Sequence, residues 1–172
     1  MFTLYASNSD DSHRYVLGVL GKRPLFTFGV NPHLASKCRS DRTVSLVRSV
    51  ASKNGYDGFV MFNIYPVRSK TVAELPRKPD LAAIRENETA IHRVLNEYPS
   101  PHLWAAWGND VEQRPYLAQA VVSLARSLAK YEPRWLRFGD LTKSGNPRHP
   151  SRLAYEWKFA TFNPLSAATN DA

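Results

Sequence analysis

Apolar residues in this chain fall mostly into short unbroken runs, which predict strands. The runs at residues 24–30 and 58–66 are rich in aromatic side chains, as is typical of strands buried on both faces of a sheet. Residues 21–23 supply glycine and polar residues for a hairpin-like turn between the first two strands. The predicted strands are residues 14–20, 24–30, 58–66, 103–108 and 134–139.

Between these strands, apolar positions recur at the spacing of helices that bury one face. Asp41 or Ser40 can cap a first helix that ends at Asn54, Asp80 opens a second, and a third follows Pro115. Alternating strands and helices imply right-handed crossovers. The predicted fold class is therefore α/β, a three-layer sandwich with a mostly parallel central sheet and an antiparallel edge strand near the N-terminus.

The length of 172 residues suits one domain with a substantial core. We expect a polar lead-in over residues 1–13, a single α/β domain over residues 14–164 and a flexible tail over residues 165–172. The first residues show no basic and apolar leader, and no stretch is long enough to span a membrane. Neither export nor membrane insertion is therefore expected.

Cys38 is the only cysteine, so an internal disulfide, a cysteine zinc cage and a protein-ligated iron–sulfur cluster are excluded. That composition suits the reducing cytoplasm. The five histidines are scattered without metal-ligand spacing, and no standard phosphate-binding glycine loop is present. The sequence accordingly predicts no metal site and no cofactor.

The net charge of +8 favours a polyanionic partner. The alternative is a solvated basic surface that keeps the protein soluble by self-repulsion. Basic residues are dispersed over the first half of the chain, and a second group lies between Arg134 and Arg152. Charge and the site chemistry below together predict a nucleic acid, with DNA favoured, or a nucleotide as the partner.

Chemically unusual segments directly follow the predicted strands, where ligands bind in α/β sheets. After the second strand, Gly29 lets the backbone approach a ligand, and Pro32 holds Asn31 extended. The Asn31 amide could then position a water molecule or contact a base edge. The alternative is a simple turn, because Asn-Pro is common turn chemistry.

Asn63 interrupts the apolar run of the third strand, and a buried amide must find hydrogen-bond partners. A ligand edge or the neighbouring backbone would satisfy it equally well. Phe62 could stack on a base, although aromatic residues in strands more often belong to the core.

The loop at residues 140–151 follows the last predicted strand and is the richest segment in polar chemistry. Lys143, Arg148 and Ser151 offer donors to phosphate, and His149 could donate a hydrogen bond or a proton near neutral pH. The alternative is a surface loop with a basic bias. We favour a site, because loops on rigid scaffolds commonly carry function.

In this order the motifs resemble a bacterial and phage family known as domain of unknown function 1643. The resemblance covers roughly residues 14–155. Its motifs are Asn31-Pro32-His33-Leu34-Ala35-Ser36, Asp41-Arg42-Thr43, Asn63, Trp107-Gly108 and residues 142–151. His33, Ser36 and Ser151 depart from the family pattern, which has serine, aspartate and leucine at those places.

The layout is also similar to the uracil-DNA glycosylase superfamily, which has a Gly-x-Asn-Pro turn, a strand-end asparagine and a His-Pro-Ser motif. This resemblance implies that Asn31 positions the attacking water and that His149 stabilises charge on the departing base. It further implies that Asn63 reads the base edge, with Gly29 and Phe62 beside it. The candidate phosphate-binding residues are Lys143, Arg148, Ser151, Arg42 and Arg68.

The leading expectation is a base-handling protein of glycosylase type that hydrolyses an N-glycosidic bond in DNA or in a nucleotide. A non-catalytic nucleic-acid-binding module is one alternative, and a phage- or plasmid-borne protein-interaction factor, such as an enzyme inhibitor, is another. The glycosylase hypothesis requires that Asn31, Asn63 and His149 converge in one pocket.

Overall fold

A computed structural model describes residues 1–154 and 156–166. Its strands are β1 (Leu4–Ser7), β2 (Arg14–Val19), β3 (Pro24–Gly29), β4 (Gly58–Asn63), β5 (His102–Ala105), β6 (Arg134–Phe138) and β7 (Phe159–Thr161). Its α-helices are α1 (Arg42–Lys53), α2 (Leu81–Leu95) and α3 (Pro115–Leu128). From residue 167 onward, the tail predicted for residues 165–172 lies outside the described residues.

The strands form one seven-stranded sheet in the order β1-β2-β4-β3-β5-β6-β7. The central strands β4, β3, β5 and β6 run parallel, whereas β1 and β2 on one side and β7 on the other run antiparallel to their neighbours. The fold is α/β, and the sheet is mixed. The sequence predicted a mostly parallel sheet, and the flanking antiparallel strands correct that prediction. The chain passes from β3 to β4 on one side and then to β5 on the other, which makes the carboxyl end of β3 a topological switch point.

The first two predicted strands do not form a hairpin. β4 lies between β2 and β3, pairing antiparallel with β2 and parallel with β3. The connecting residues are held instead by the Asp57 carboxylate, which accepts hydrogen bonds from the backbone N–H groups of Lys22 and Arg23, both at 2.8 Å. Turn chemistry at residues 21–23 was therefore recognised correctly, but the prediction that it joins paired strands is wrong.

The helices begin at local capping chemistry. The Asp41 carboxylate accepts a hydrogen bond from the backbone N–H of Val44, Asp80 caps α2 in the same way, and Pro115 is the first residue of α3. These starts confirm the helix boundaries expected from sequence. No helix in the part of the chain that the structure describes is long and apolar enough to cross a membrane.

Two apolar clusters use alternate residues of the same strands. Phe26 and Phe62 pack in the cluster that includes residues of α2 and α3, whereas Met61 and Trp104 pack in the cluster that includes residues of α1. This alternation follows from the two-residue period of side chains along a strand. The Asn63 side chain lies beside Met61, and both residues line the cavity described below.

A β-bulge interrupts the pairing of β1 with β2. Ala6 pairs with Val16, but Ser7 pairs with Arg14, which leaves Tyr15 as the extra residue. Tyr15 and Val16 consequently pack in the same apolar cluster although they are adjacent in sequence. Bulges redirect side chains, and Arg14 lines the cavity near the α1 side of the sheet.

Candidate functional site

A cavity of about 210 Å³ opens at the carboxyl ends of β3 and β4. It is lined by Asn31, Asn63 and His149, which come from three separate segments of the chain. Gly29 also contributes to its wall. The cavity lies next to the topological switch point, where ligands bind in α/β sheets.

Asn31 is oriented by backbone carbonyl groups. Its side-chain Nδ2 donates to the carbonyl oxygens of Pro32 and Ser69, both at 3.2 Å, and to that of Val67 at 3.5 Å. These contacts fix which end of the amide is the donor. Because the amino group is engaged, the carbonyl oxygen Oδ1 is the end available to accept a hydrogen bond from a ligand or a water molecule.

Asn63 is the last residue of β4 and is 2% exposed. Its backbone carbonyl accepts a hydrogen bond from the Asn87 side chain at 2.8 Å, but its side-chain Nδ2 has no hydrogen-bond partner among the residues that the structure describes. A Cβ atom on Gly29 would lie 3.0 Å from the Asn63 Oδ1 atom, so glycine leaves room for the amide. An unpartnered donor this deeply buried favours a ligand that supplies the acceptor.

His149 is held in one tautomer. Its Nδ1 atom accepts a hydrogen bond from the backbone N–H of Ser151 at 3.2 Å and lies 2.8 Å from the Ser151 hydroxyl oxygen. Burial lowers the pKa of His149, against the opposing effect of the Asp110 carboxylate. The ring is therefore neutral at pH 7, with its proton on Nε2, and acts as a hydrogen-bond donor.

Gly108 packs directly against this histidine. Its backbone N–H donates to the Pro147 carbonyl oxygen at 2.9 Å, and its φ of +65° lies in the left-handed region. A Cβ atom there would meet the His149 Cβ atom at 3.1 Å. The Trp-Gly motif thus supports the position of His149, although no role was predicted for this motif.

The loop that carries His149 is also anchored on its other side. The Asn109 side-chain oxygen accepts hydrogen bonds from the Thr142 hydroxyl at 2.7 Å and from the Asn146 amide at 3.2 Å. Asn146 is buried and donates to the Glu112 carboxylate as well. From the sequence, Asn109 belongs to one of the unusual segments that directly follow a strand, although no role was predicted for it, and Glu112 was missed.

Charged residues of both signs line the cavity. Asp41 and Asp110 contribute carboxylates, and Arg14 and Lys70 contribute cations. Asp41 is engaged by the backbone, because its carboxylate accepts hydrogen bonds from the N–H groups of Ala35 and Val44. No role in a site was predicted for these four residues, and the position of Arg14 depends on a bulge that no sequence motif marks.

Phe62 lies away from the cavity. It is fully buried, and its ring stacks on Phe26 with centroids 5.8 Å apart in the cluster on the opposite face of the sheet. Adjacent residues of a strand face opposite sides, so Phe62 and Asn63 cannot both face the same cavity. The predicted stacking role for Phe62 does not fit this position.

The Arg68 side chain is engaged in hydrogen bonds within the protein. Its guanidinium donates to the backbone carbonyl oxygens of Asp11, His33 and Ala35, to the Tyr5 hydroxyl and to the Asp11 carboxylate at 3.1 Å. All five N–H donors of the side chain therefore have protein acceptors. A phosphate would have to displace these contacts, which does not fit the predicted phosphate-binding role.

The remaining candidates lie outside the cavity wall. Lys143 and Arg42 are exposed, and the Arg148 guanidinium lies over the Trp157 ring, 5.0 Å from its centroid. Ser151 is exposed and hydrogen-bonded to His149. Among the described residues, no group of three or more His, Cys, Asp or Glu side chains could hold a metal ion.

Comparison with known proteins gives a family match. The family described as Protein of unknown function (DUF1643) matches residues 14–151, well over half of the chain. The chain belongs to this family. The DUF1643 segment begins at Arg14 and contains every residue that lines the cavity, whereas β1 and β7 lie outside it. No match was found among curated proteins or among solved structures.

Proposed function

We propose that this protein binds a nucleobase, in DNA or in a nucleotide, and hydrolyses its N-glycosidic bond. The observation that carries the proposal is that Asn31, Asn63 and His149 line the same cavity. Each contributes a different chemical group: Asn31 a free carbonyl oxygen, Asn63 a buried unpartnered N–H group and His149 a neutral imidazole. A polar base edge and a water molecule are the ligands that this combination suits.

In the proposed reaction, the bond between the sugar C1′ and the base nitrogen breaks, and its electron pair leaves with the base. The Asn31 Oδ1 atom accepts a hydrogen bond from a water molecule whose oxygen forms the new bond to C1′. Asn63 Nδ2 donates to a carbonyl oxygen of the base, and His149 donates from Nε2 to the oxygen on which negative charge develops. The base takes up a proton on release, and the water loses one to solvent.

The arrangement of elements supports the same proposal. Asn31 follows β3, Asn63 ends β4 and the His149-Pro150-Ser151 sequence follows β6, in the order of the corresponding motifs of uracil-DNA glycosylases. Residues of α1 pack in one cluster, and those of α2 and α3 pack in the other. We accordingly propose a three-layer arrangement of the uracil-DNA-glycosylase type for this domain.

The test is direct detection of free base. Duplex and single-stranded oligonucleotides carrying uracil or modified bases, and the matching nucleotides, are incubated with the protein, and released base is measured by mass spectrometry. We expect Asn31→Ala and His149→Ala to lower the rate by at least roughly a hundredfold. Arg85→Gln, an exposed residue on α2, is the matched control. Release of no base from any substrate, or equal rates in all variants, would reject the proposal.

A second candidate function is nucleic-acid binding without catalysis. The observation that favours it is that the residues lining the cavity, all within the described part of the chain, include no Phe, Tyr or Trp to stack on a base. Binding of this kind would weaken steeply as salt rises, because it depends on phosphate contacts. It would survive Asn31→Ala and His149→Ala, which separates it from the first candidate.

A further inference from the structure

Arg14 places a cation inside the cavity with almost no contact with solvent. The residue is 2% exposed, and burial lowers the pKa of its guanidinium to about 10, so the side chain stays charged at neutral pH. Its Nη1 atom donates to the Ala35 carbonyl oxygen at 3.0 Å, but its Nε atom has no hydrogen-bond partner within the described part of the chain. A buried charge left this way is costly unless an anion completes its surroundings.

Asp41 and Asp11 act on the Arg14 charge electrostatically, but among the described residues no carboxylate pairs with it directly. Arg14 takes part in none of the ion pairs found among the described residues. The nearby carboxylates are otherwise engaged, since Asp11 pairs with Arg68 and Asp41 accepts backbone hydrogen bonds at the start of α1. The Arg68 guanidinium adds a second positive charge close enough to act on Arg14.

Local features of the fold determine where the Arg14 side chain lies. The β-bulge at Tyr15 turns Arg14 away from the apolar cluster that holds Tyr15 and Val16. The guanidinium is then fixed by Ala35, whose carbonyl oxygen also accepts a hydrogen bond from Arg68 at 2.9 Å. A strand irregularity that redirects a charged side chain into a cavity is typical of a functional site.

The geometry points to an oxyanion subsite at Arg14 that takes the terminal phosphate of a free nucleotide. Arg14 Nε would donate to a phosphate oxygen, and Lys70, which also lines the cavity and is exposed, would contact the phosphate from the rim. The identification of the rest of the ligand as a nucleoside rests on the proposed function. Asn31, Asn63 and His149 would then bind the base and glycosidic bond in the same cavity.

The depth of Arg14 distinguishes a nucleotide from DNA. A phosphodiester continues into the polymer on both sides, so it cannot be enclosed around a residue that is 2% exposed. A terminal phosphate monoester has only one covalent connection and can enter a closed end of a cavity. We therefore assign a phosphate monoester as the ligand of the Arg14 subsite. The experiment must exclude the alternative, a phosphodiester of DNA.

The experiment measures binding by calorimetry with the full chain. Nucleoside 5′-monophosphates are compared with the matching nucleosides and with the methyl esters of the same monophosphates, which carry a diester. We expect the monophosphates to bind at least roughly tenfold more tightly than either comparison ligand. Arg14→Gln should reduce this preference to about threefold or less, Lys70→Gln should reduce it partially, and Arg85→Gln should leave it unchanged.

A second measurement covers the case in which Arg14→Gln does not fold. Inorganic phosphate should raise the Tm of the wild-type protein above its value in chloride at equal ionic strength, and Lys70→Gln should diminish the shift. Equal affinity for monophosphate, nucleoside and methyl ester would overturn the assignment. So would a phosphate preference that Arg14→Gln leaves intact.

The two proposals fail separately. A monophosphate preference that requires Arg14, without release of base from any substrate, would uphold the oxyanion subsite and reject N-glycosidic hydrolysis. Release of base from oligonucleotides, with no preference for the monophosphate, would uphold hydrolysis and reject the subsite.

Discussion

Gly108 lies so close to His149 that even a methyl side chain on the glycine would crowd the histidine. A Cβ atom on Gly108 would lie 3.1 Å from the His149 Cβ atom, and the Gly108 backbone already has a φ of +65°. The glycine therefore limits where the imidazole can lie in the cavity. Two separate costs, one steric and one conformational, oppose its replacement.

Replacing Gly108 by alanine should destabilise the protein and displace His149. The positive φ alone costs about 1–3 kcal/mol for an L residue. Gly145→Ala is the matched control, since Gly145 has a φ of +81° but nothing lies within 4 Å of a Cβ atom there. We expect urea unfolding to show a loss in both variants and ligand binding to weaken only in Gly108→Ala. Equal binding in the two variants would contradict a positioning role for Gly108.

The His149 ring should titrate below its ordinary pKa of about 6.5. Burial lowers the folded-state pKa of His149, so the unfolded chain binds the proton more readily. The neutral ring therefore makes its full contribution to the free energy of unfolding above about pH 6.5. That contribution is lost as the pH falls toward the folded-state pKa. NMR titration of the ring proton measures the midpoint.

His92 and His102 also have lowered pKa values because of burial, so the His149 resonance must be assigned with His149→Gln. The same variant tests linkage, since its destabilisation relative to wild type should be larger at pH 8 than at pH 5.5. A midpoint above the ordinary value would contradict a pKa lowered by burial, and a pH-independent difference would mean that the pKa of His149 does not change on folding.

Asn63→Leu should leave the protein as stable as wild type or raise its free energy of unfolding by about 1 kcal/mol. The reason is that leucine removes a buried Nδ2 donor that has no partner. Asn87→Leu is the control on the facing helix, and it removes the hydrogen bond to the Asn63 carbonyl at 2.8 Å. That variant should lose about 1–3 kcal/mol in urea unfolding. A larger loss in Asn63→Leu than in Asn87→Leu would mean that the Asn63 amide serves stability.

Arg68→Gln should lower the free energy of unfolding by about 1.5–3 kcal/mol, because charge-assisted hydrogen bonds to several backbone carbonyl oxygens are lost. Arg42→Gln is the comparison, since Arg42 is exposed at the start of α1 and should change stability by less than about 0.5 kcal/mol. Chemical unfolding of both variants measures the difference. Similar small effects would mean that the Arg68 contacts contribute little.

Local chemistry could be read from the sequence wherever its effect is also local. Asp41, Asp80 and Pro115 marked the helix starts because capping acts within a few residues. The strands β1 and β7 were missed since they are short edge strands, of four and three residues, with only part of their surface buried. The pairing of β2 was misjudged because a turn sequence does not determine which strand lies beside which.

The residues around the cavity could likewise be predicted only in part from the sequence. Asn31, Asn63 and His149 could be placed at one sheet edge from strand order alone. Phe62 could have been excluded by the same pattern, because alternate strand residues face opposite sides. The cavity position of Arg14 and the internal contacts of Arg68 could not be predicted, since one depends on a bulge and the other on partners brought together by tertiary structure.

The placement of β4 between β2 and β3 has a consequence for how the chain folds during synthesis. When the first thirty or so residues have left the ribosome, β2 can pair only with β1, and β3 has no partner, because the strand that lies between β2 and β3 begins at Gly58. Central sheet assembly therefore waits for a loop of more than twenty residues to close, which is an entropic delay. The cavity, bounded by the ends of β3 and β4, forms only after that closure. Until then, one edge of β2 and both edges of β3 remain unpaired and open to pairing with other chains.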